Sequence, residues 1–568
     1  MDRWREYFSV GIVVLLLLCG CLQQNPSGKA ANLKWPAASS QKPAREGEGN
    51  EVCSPERLSQ LEQAMESKLA GFNTPFPFSF YVEGKTDSFN YDRGGSTMDT
   101  EYQSASTSKW ITAAVILSAI DKGKINLTDH PQDYIGFWNN SINKTNSLFN
   151  ITLAQLLSFT SGLAIENDCV NNPWGDFELC ISKIAENNSD TDKTPGTEFW
   201  YRNTHLQVAG LMAVKALNQS NWSAVFSRFQ EETDLLQNSK YDLPSETNPR
   251  LAGGMHWTAN DYVGFIRALK EGQMLSPALR DMMLSDQIGD ATISYSPLWR
   301  LHQNWHYGFG CWIECYSPIF NCPSVEMVSS PGAYGHYPYI NLKKDFFGIV
   351  AIQDLEGNFS WGINIFNTVR PEVDAWAACQ NIDAVHSYAE LTNFNLDGLV
   401  TCPMGEGPKY KYLMITVRDE QGNPLPGVSS DYFTFQVENA DALYCGELDL
   451  VFLPKDNLTN ASGQIRFEIV GTTSIIGNVS IRASVFDAEI GDQLLLHAKS
   501  IDETLDCTVD ISDFNLFAQD YRQSVWKSDF NWDGTVNMID YVVFGMHWAH
   551  SAQGEMQIGP LPELESVG

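Results

Sequence analysis

The sequence predicts a multidomain chain: an α/β body, then a β-sandwich, then a small α-helical module carrying calcium-type loops. Three observations predict it. Helical and strand-like periodicities alternate from Glu51 to about residue 390. Composition breaks near 395 into short alternating strands parted by turns such as Asp419-Glu-Gln-Gly-Asn-Pro424. A compact helical stretch from 502 to about 550 then carries an acidic pattern twice over. At 568 residues there is room for several domains, and 43% hydrophobic with 12% aromatic content is that of a packed protein. The net charge of -32 argues against nucleic acid as a partner, since like charges would repel its backbone.

The N-terminus opens with Arg3 and Arg5, an apolar run from Val10 to Leu18, and Leu18-Cys19-Gly20-Cys21. The run is too short to span a bilayer and reads as an export signal over 1–21. Leu18-Cys-Gly-Cys21 resembles the bacterial lipobox, which implies removal of the signal and a lipid on Cys21. The expected location is therefore extracytoplasmic, lipid-anchored to the cell envelope (outer membrane or cell surface), with plain secretion as the alternative. Membrane contact would be through the lipid anchor only. Residues 22–50, rich in Gln, Asn, Pro, Ser, Gly, Ala and Lys, read as a flexible linker. Of 12 cysteines, ten follow Cys21, an even number that suggests disulfides in an exported protein. Cys169 with Cys180, and Cys322 with Cys311 or Cys315, are the local candidates.

Within the body (51–390), Arg57 to Leu69 reads as a helix, and Ser79–Gly84 with Ser88–Tyr91 as an antiparallel pair. A buried helix follows Ser106, and the chain is mostly helical from 120 to 240. Strand-like runs return at Tyr307–Glu314 and Phe346–Ile352, and a helix near Pro371–Cys379 closes the body. The sandwich (396–500) has strands at Tyr412–Val417, Phe433–Val437, Leu448–Leu453, Gln464–Ile469, Val479–Ser484 and Gln493–Lys499. The helical module spans 501–552, and 553–568 is a tail.

Gln103-Ser-Ala-Ser-Thr-Ser-Lys-Trp-Ile-Thr-Ala-Ala-Val-Ile-Leu117 organises the body. Ser and Thr at its start are N-capping types, and the apolar spacing that follows is helical. Ser106 and Lys109, three apart, share one helix face, as a serine nucleophile and an amine that takes its proton require. Burial and the positive helix end would both lower the Lys109 pKa. Ser-x-x-Lys also occurs at Ser39/Lys42, Ser141/Lys144 and Ser524/Lys527, where no apolar helix follows. Further on, Tyr201 and Asn203 in Thr194-Pro-Gly-Thr-Glu-Phe-Trp-Tyr-Arg-Asn203 would point the same way in an extended segment. Tyr201 beside a cationic lysine would ionise more easily than a free phenol, and Asn203 would orient Lys109 or a substrate carbonyl.

Ser106-Thr-Ser-Lys109, Leu153-Ala-Gln-Leu-Leu-Ser-Phe-Thr-Ser-Gly-Leu163, Pro195-Gly196 with Tyr201-Arg-Asn203, and Arg250-Leu-Ala-Gly-Gly-Met-His-Trp-Thr-Ala-Asn-Asp261 resemble, in this order, the serine β-lactamase-related superfamily. The nearest branch is that of class C β-lactamases, family VIII esterases and D-alanyl-D-alanine carboxypeptidases. The resemblance implies an antiparallel sheet flanked by helices, with a helical subdomain. It implies that Ser106 is acylated, that Lys109 accepts its proton, and that Tyr201 is general base for one or both half-reactions. Asn203 would be the orienting amide, and the Ser106 N–H half of an oxyanion hole. The third family motif is matched by Ser329-Ser-Pro-Gly-Ala-Tyr-Gly335, with the Ala333 N–H as second oxyanion donor. No cation stands at position 330, where the family holds one for the carboxylate of a β-lactam or peptide. A neutral small-molecule or peptide ester or amide is the expected substrate, with His336 as a candidate substitute cation. The expected function is an exported serine hydrolase that forms an acyl-enzyme on Ser106 without a catalytic cofactor. The alternatives are an inactive binding or scaffolding protein and a D-alanyl-D-alanine carboxypeptidase.

In the last module, Asp529, Asn531, Asp533 and Asp540 hold loop positions 1, 3, 5 and 12, with Gly534 at 6 and Thr535 offering its carbonyl. That is the oxygen set Ca²⁺ requires. Asp502, Thr504, Asp506, Thr508 and Asp513 repeat the pattern 27 residues earlier, with Cys507 in the glycine position. The pair resembles dockerin type I repeats, which implies structural Ca²⁺ and a cohesin-like or cell-surface partner. Val417-Arg-Asp-Glu-Gln-Gly-Asn-Pro-Leu-Pro-Gly427 resembles an Ig-like repeat, a spacer or binding module.

Overall fold

The computed structural model describes residues 53–142, 146–315, 320, 325–392, 398–402 and 411–549. The export signal with Cys19 and Cys21, the linker, Cys322 and the tail lie outside the described residues. Among the described residues no helix is long and apolar enough to cross a membrane.

A seven-stranded antiparallel sheet carries the body. Its order is Ser88–Arg93, Phe78–Glu83, Phe346–Ile352, Tyr337–Asn341, Met327–Ser329, Trp312–Glu314 and His306–Tyr307. The first strands thus pair with the last, Phe78 lying opposite Ile352. Every residue of Phe346–Ile352 is buried, because both faces of the sheet are covered. Phe346, Val350 and Ile352 pack with the helices Pro55–Gly71 and Ser360–Asn381 on one side. Phe347, Ile349 and Ala351 face the helix Ala259–Lys270 on the other, in the core that also buries the helix Ser108–Asp121. The period of two in the strand becomes two separate cores.

Local chemistry accounts for the element ends. Pro55–Gly71 starts at Ser54, whose Oγ accepts the Arg57 N–H at 3.1 Å, has Pro55 in its first turn, and buries Leu61, Met65 and Leu69 at a four-residue spacing. A disulfide ties Cys53, just before this helix, to Cys379 near the end of Ser360–Asn381. The closing helix was expected to begin near Pro371. It begins at Ser360 because Ile363, Phe366, Val369, Val373 and Trp376 carry one buried face straight through the proline. The run Tyr307–Glu314, expected as one strand, is a hairpin. Gly310 turns it at φ +79°, and a Cβ there would lie 2.5 Å from the Lys109 carbonyl.

The β-sandwich pairs a sheet ordered Tyr388–Thr392, Lys411–Thr416, Gln464–Gly471, Leu450–Pro454 with one ordered Leu399–Thr401, Ala488–Ser500, Ile475–Val485, Phe433–Asn439. It starts at Tyr388, ahead of the expected boundary at 396, because Leu391 pairs with Leu413 across the sheet. Its core is continuous with the helix-covered face of the main sheet. The final module holds the helices Ile511–Asp520 and Met538–Met546 on a small core of Phe514, Phe517, Phe530, Val536 and Phe544. Cys507, at φ +70°, takes the left-handed turn that Gly534 takes at φ +89°, and its disulfide to Cys445 fastens the loop to the sandwich.

Gly310→Ala is expected to lower the stability of the body by about 1–3 kcal/mol, because the new methyl meets backbone and the residue must hold a positive φ. Urea unfolding followed by tryptophan fluorescence checks this; an unchanged midpoint would contradict the tight approach of hairpin to helix.

Candidate active site

Ser106 sits in a single 3₁₀ turn, Ala105–Thr107, that leads into Ser108–Asp121. Ala105 is held at φ +44°, a left-handed conformation in a non-glycine residue directly before the candidate nucleophile. The small polar residues here do not cap the helix, as their types had suggested. They are spent on tertiary contacts instead. Ser104 Oγ accepts the Met255 N–H at 3.0 Å, and Thr107 Oγ1 accepts the Trp257 indole N–H at 2.9 Å while donating to the Ser104 carbonyl. Both partners come from the strand Met255–Thr258, so this strand pins the turn.

Lys109 is 2% exposed, and its Nζ lies 3.0 Å from Ser106 Oγ and 2.6 Å from the Ala252 carbonyl, to which it donates. Burial pulls its pKa down from 10.5 to about 7; Glu166 pulls weakly the other way and Arg250 assists. The amine is therefore available as a neutral base near neutral pH, with burial rather than the helix end as the main cause.

Tyr201 reaches the same point from the strand Glu198–Trp200. Its ring stacks on Trp312 at 5.0 Å between centroids, Lys109 Nζ lies 4.7 Å from the ring centre, and its phenol is close enough to the Ser106 side chain to feel it electrostatically. Contrary to the expectation of easy ionisation, burial raises the phenol pKa well above 10, so Tyr201 stays protonated. His205 braces the segment. It is fully buried, its Nε2–H donates to the Trp200 carbonyl at 2.8 Å, and its Nδ1 accepts from the Ser161 hydroxyl at 2.8 Å. Burial keeps this imidazole neutral, its pKa lowered to about 3.

Asn203 departs from the extended pattern: at φ −77° and ψ −27° it begins the helix Thr204–Ala216. Its side-chain amide does not hydrogen-bond Lys109, whose second partner is the Ala252 carbonyl; the residue lines the cleft, and its backbone N–H donates to Glu166 Oε2 at 3.1 Å. The third motif leaves the end of Met327–Ser329, with Ser330 Oγ donating to the Ser106 carbonyl at 3.4 Å. Ala333 is exposed on the cleft wall. His336 does not substitute for the missing cation. It is fully buried between the Gln103 carbonyl and the Ile352 N–H, with its pKa lowered to about 3.

A cleft of about 530 Å³ opens over Ser106, and Tyr201, Asn203, Trp312, Ala333 and Glu166 all line it. Ala252 lay within a motif already noted, but without a role. Glu166, His205 and Trp312 carried no sequence signal, since they come from a loop, the helix Thr204–Ala216 and a strand of the main sheet.

The family described as Beta-lactamase matches residues 78–367, just over half of the chain. The chain belongs to the beta-lactamase family. That family sits in a superfamily of serine hydrolases, and the match covers Ser106, Lys109, Tyr201, Asn203 and Ala333. Protein flp of Staphylococcus aureus (strain N315) is 30% identical over 124 residues, 21% of this chain and 24% of that protein. The chain thus spans about a quarter of the length of the curated relatives it matches. Among solved structures, a beta-lactamase from Mycobacterium bovis is 17% identical with a TM-score of 0.41, covering 55% of this chain and 99% of that one. A D-stereospecific amidohydrolase from Streptomyces sp. is 18% identical with a TM-score of 0.40, covering 55% and 98%.

Of the two acidic loops, each first Asp accepts two backbone N–H groups: Asp529 from Asp533 and Gly534, Asp502 from Asp506 and Cys507. Each last Asp does likewise: Asp540 from Asn531 and Asn537, Asp513 from Thr504 and Asp510. Thr535 and Thr508 each donate their N–H to the aspartate two residues before, Asp533 and Asp506. The duplication is therefore structural as well as sequential. Among the described residues no three His, Cys, Asp or Glu side chains close into a metal-binding group.

Lys109→Met is expected to abolish acylation yet raise stability, by about 1–3 kcal/mol net of the donor the Ala252 carbonyl loses. The gain should be largest below pH 7, where the folded state must hold a buried ammonium. It should shrink as pH rises from about 7 toward 10.5, because there the folded amine is already neutral and only the unfolded one is charged. Urea midpoints of both proteins at pH 6 and pH 9 test the sign.

Proposed function

We propose that the chain hydrolyses an ester or amide through an acyl-enzyme on Ser106. The observation that carries this is the buried Lys109 amine, 3.0 Å from Ser106 Oγ and titrating near 7. With one N–H held by the Ala252 carbonyl, the lone pair of the neutral amine faces the Ser106 hydroxyl. Lys109 takes the hydroxyl proton as Oγ bonds to the substrate carbonyl carbon, and the developing oxyanion lies between the Ser106 and Ala333 N–H groups. As the bond to the leaving group breaks, that proton passes to the leaving atom through the neighbouring Tyr201 hydroxyl. Water then repeats the sequence on the acyl-enzyme, losing its proton to the same pair and freeing Ser106.

Intact-mass analysis after treatment with a fluorophosphonate should give one adduct in the natural protein and none in Ser106→Ala. The acylation rate should rise with pH through about 7, as Lys109 loses its proton, and then stay level, because the Tyr201 phenol does not ionise in the range. Labelling that persists in Ser106→Ala would overturn the reading.

The same proposal takes the acidic loops as Ca²⁺ sites that steady the last module. Supporting it, burial and neighbouring aspartates raise the pKa of Asp540, and that of Asp513 to about 7, so a cation beside them would favour their charged form. Asp529, Asn531, Asp533, Thr535 and Asp540 would hold one ion, and Asp502, Thr504, Asp506, Thr508 and Asp513 a second. Met538, Ile539, Val542 and Met546 form an exposed apolar stripe on the last helix, suited to a protein partner on the cell surface. Calorimetric titration with Ca²⁺ should show binding that Asp540→Asn weakens at least tenfold, and chelation should lower the melting temperature. A titration without heat or a chelator without effect would remove the metal from this account.

A further inference from the structure

The cleft contains two cations that acyl transfer at Ser106 does not use. Arg202, between Tyr201 and Asn203, lays its guanidinium 4.1 Å from the centre of the Tyr295 ring and 5.8 Å from that of Trp200. Its Nε is buried without a hydrogen-bond partner. Arg300, exposed, lines the same cleft from the turn Pro297–Leu301. Neither guanidinium is ion-paired or hydrogen-bonded to another described residue. Glu166 is the one carboxylate on the described lining; it takes the Asn203 N–H and pairs with neither arginine.

A guanidinium held flat against an aromatic ring keeps its edge free, and that edge is a planar fork of donors matched to a carboxylate. Leaving such donors partly desolvated and unused costs free energy that a bound anion would return. Position 330 offers a serine where the family motif holds a cation, and His336 is neutral and buried. The charge for an anionic substrate is therefore present, but delivered by the segment that also delivers Tyr201.

We infer that Arg202, assisted by Arg300 at the rim, forms a carboxylate-binding subsite, and that the preferred acyl donor is an ester or amide carrying a free carboxylate. This replaces the neutral substrate expected from position 330, and it rests on the acyl-enzyme reading of Ser106. The two can fail separately.

The test compares p-nitrophenyl hydrogen glutarate with p-nitrophenyl valerate, which have acyl chains of equal length and differ in the terminal carboxylate. The ratio of their kcat/KM values cancels general damage to the cleft. Arg202→Met, which keeps the stem against Trp200 and Tyr295, should lower the glutarate-to-valerate ratio about ten- to a hundredfold, and Arg202→Lys should recover part of it. Arg300→Gln, a change at an exposed side chain, should lower the ratio less, and it gives the same comparison should Arg202→Met not fold. An unchanged ratio in these variants, with Ser106 still labelled by a fluorophosphonate, overturns the subsite and leaves the acyl-enzyme standing. No labelling at Ser106 in the natural protein overturns the acyl-enzyme and the subsite with it.

Discussion

The active-site cleft depends on keeping one amine dry. Lys109 would be an ordinary cation in water; it becomes a base only because the helix Ser108–Asp121 is apolar on all sides and buried throughout its first three turns. The hairpin at Gly310 closes against the Lys109 carbonyl, the Met255–Thr258 strand holds the preceding turn, and the Ala252 carbonyl fixes the amine's direction. Each of these contacts excludes water or sets geometry, and none takes part in bond-making. The strained Ala105 belongs to the same arrangement, since the backbone must bend sharply to bring Ser106 to the cleft while leaving Lys109 beneath it.

Tyr201 obeys the same constraint with the opposite result. Burial that frees an amine of its proton makes a phenol keep its own. The two groups are thus held in opposite states by environment alone, the amine able to receive a proton and the phenol to keep one. His205, neutral and doubly hydrogen-bonded, holds the Trp200 carbonyl so that this division is kept at a fixed distance.

Much of this was legible in the chain. The 3.6-residue spacing after Ser106 and in Arg57–Leu69, and the unbroken apolar run at Phe346–Ile352, reported burial, and burial decides where helices and strands lie. Ser106, Lys109 and Tyr201 were legible because a helical turn and a short motif hold their spacing. What was missed depends on distant partners. Ser104 and Thr107 have the chemistry of caps, yet Met255 and Trp257 claim them. Glu166 and Trp312 reach the cleft from segments far from Ser106 in sequence, and His336 reads as a free cation until the core closes around it. The strand Tyr388–Thr392 went unread because its partner, Lys411–Thr416, lies beyond the composition break near 395.

The disulfide between Cys53 and Cys379 has a mechanical consequence. It joins two points 326 residues apart in sequence, one ahead of the first helix of the body and one near the end of the last. Tension applied between the segment before Cys53 and the sandwich after Cys379 would run across that sulfur bridge and bypass the intervening chain. The hydrolase body would then hang slack beside the load path, and its cleft would keep its shape while the flanking segments bore the strain.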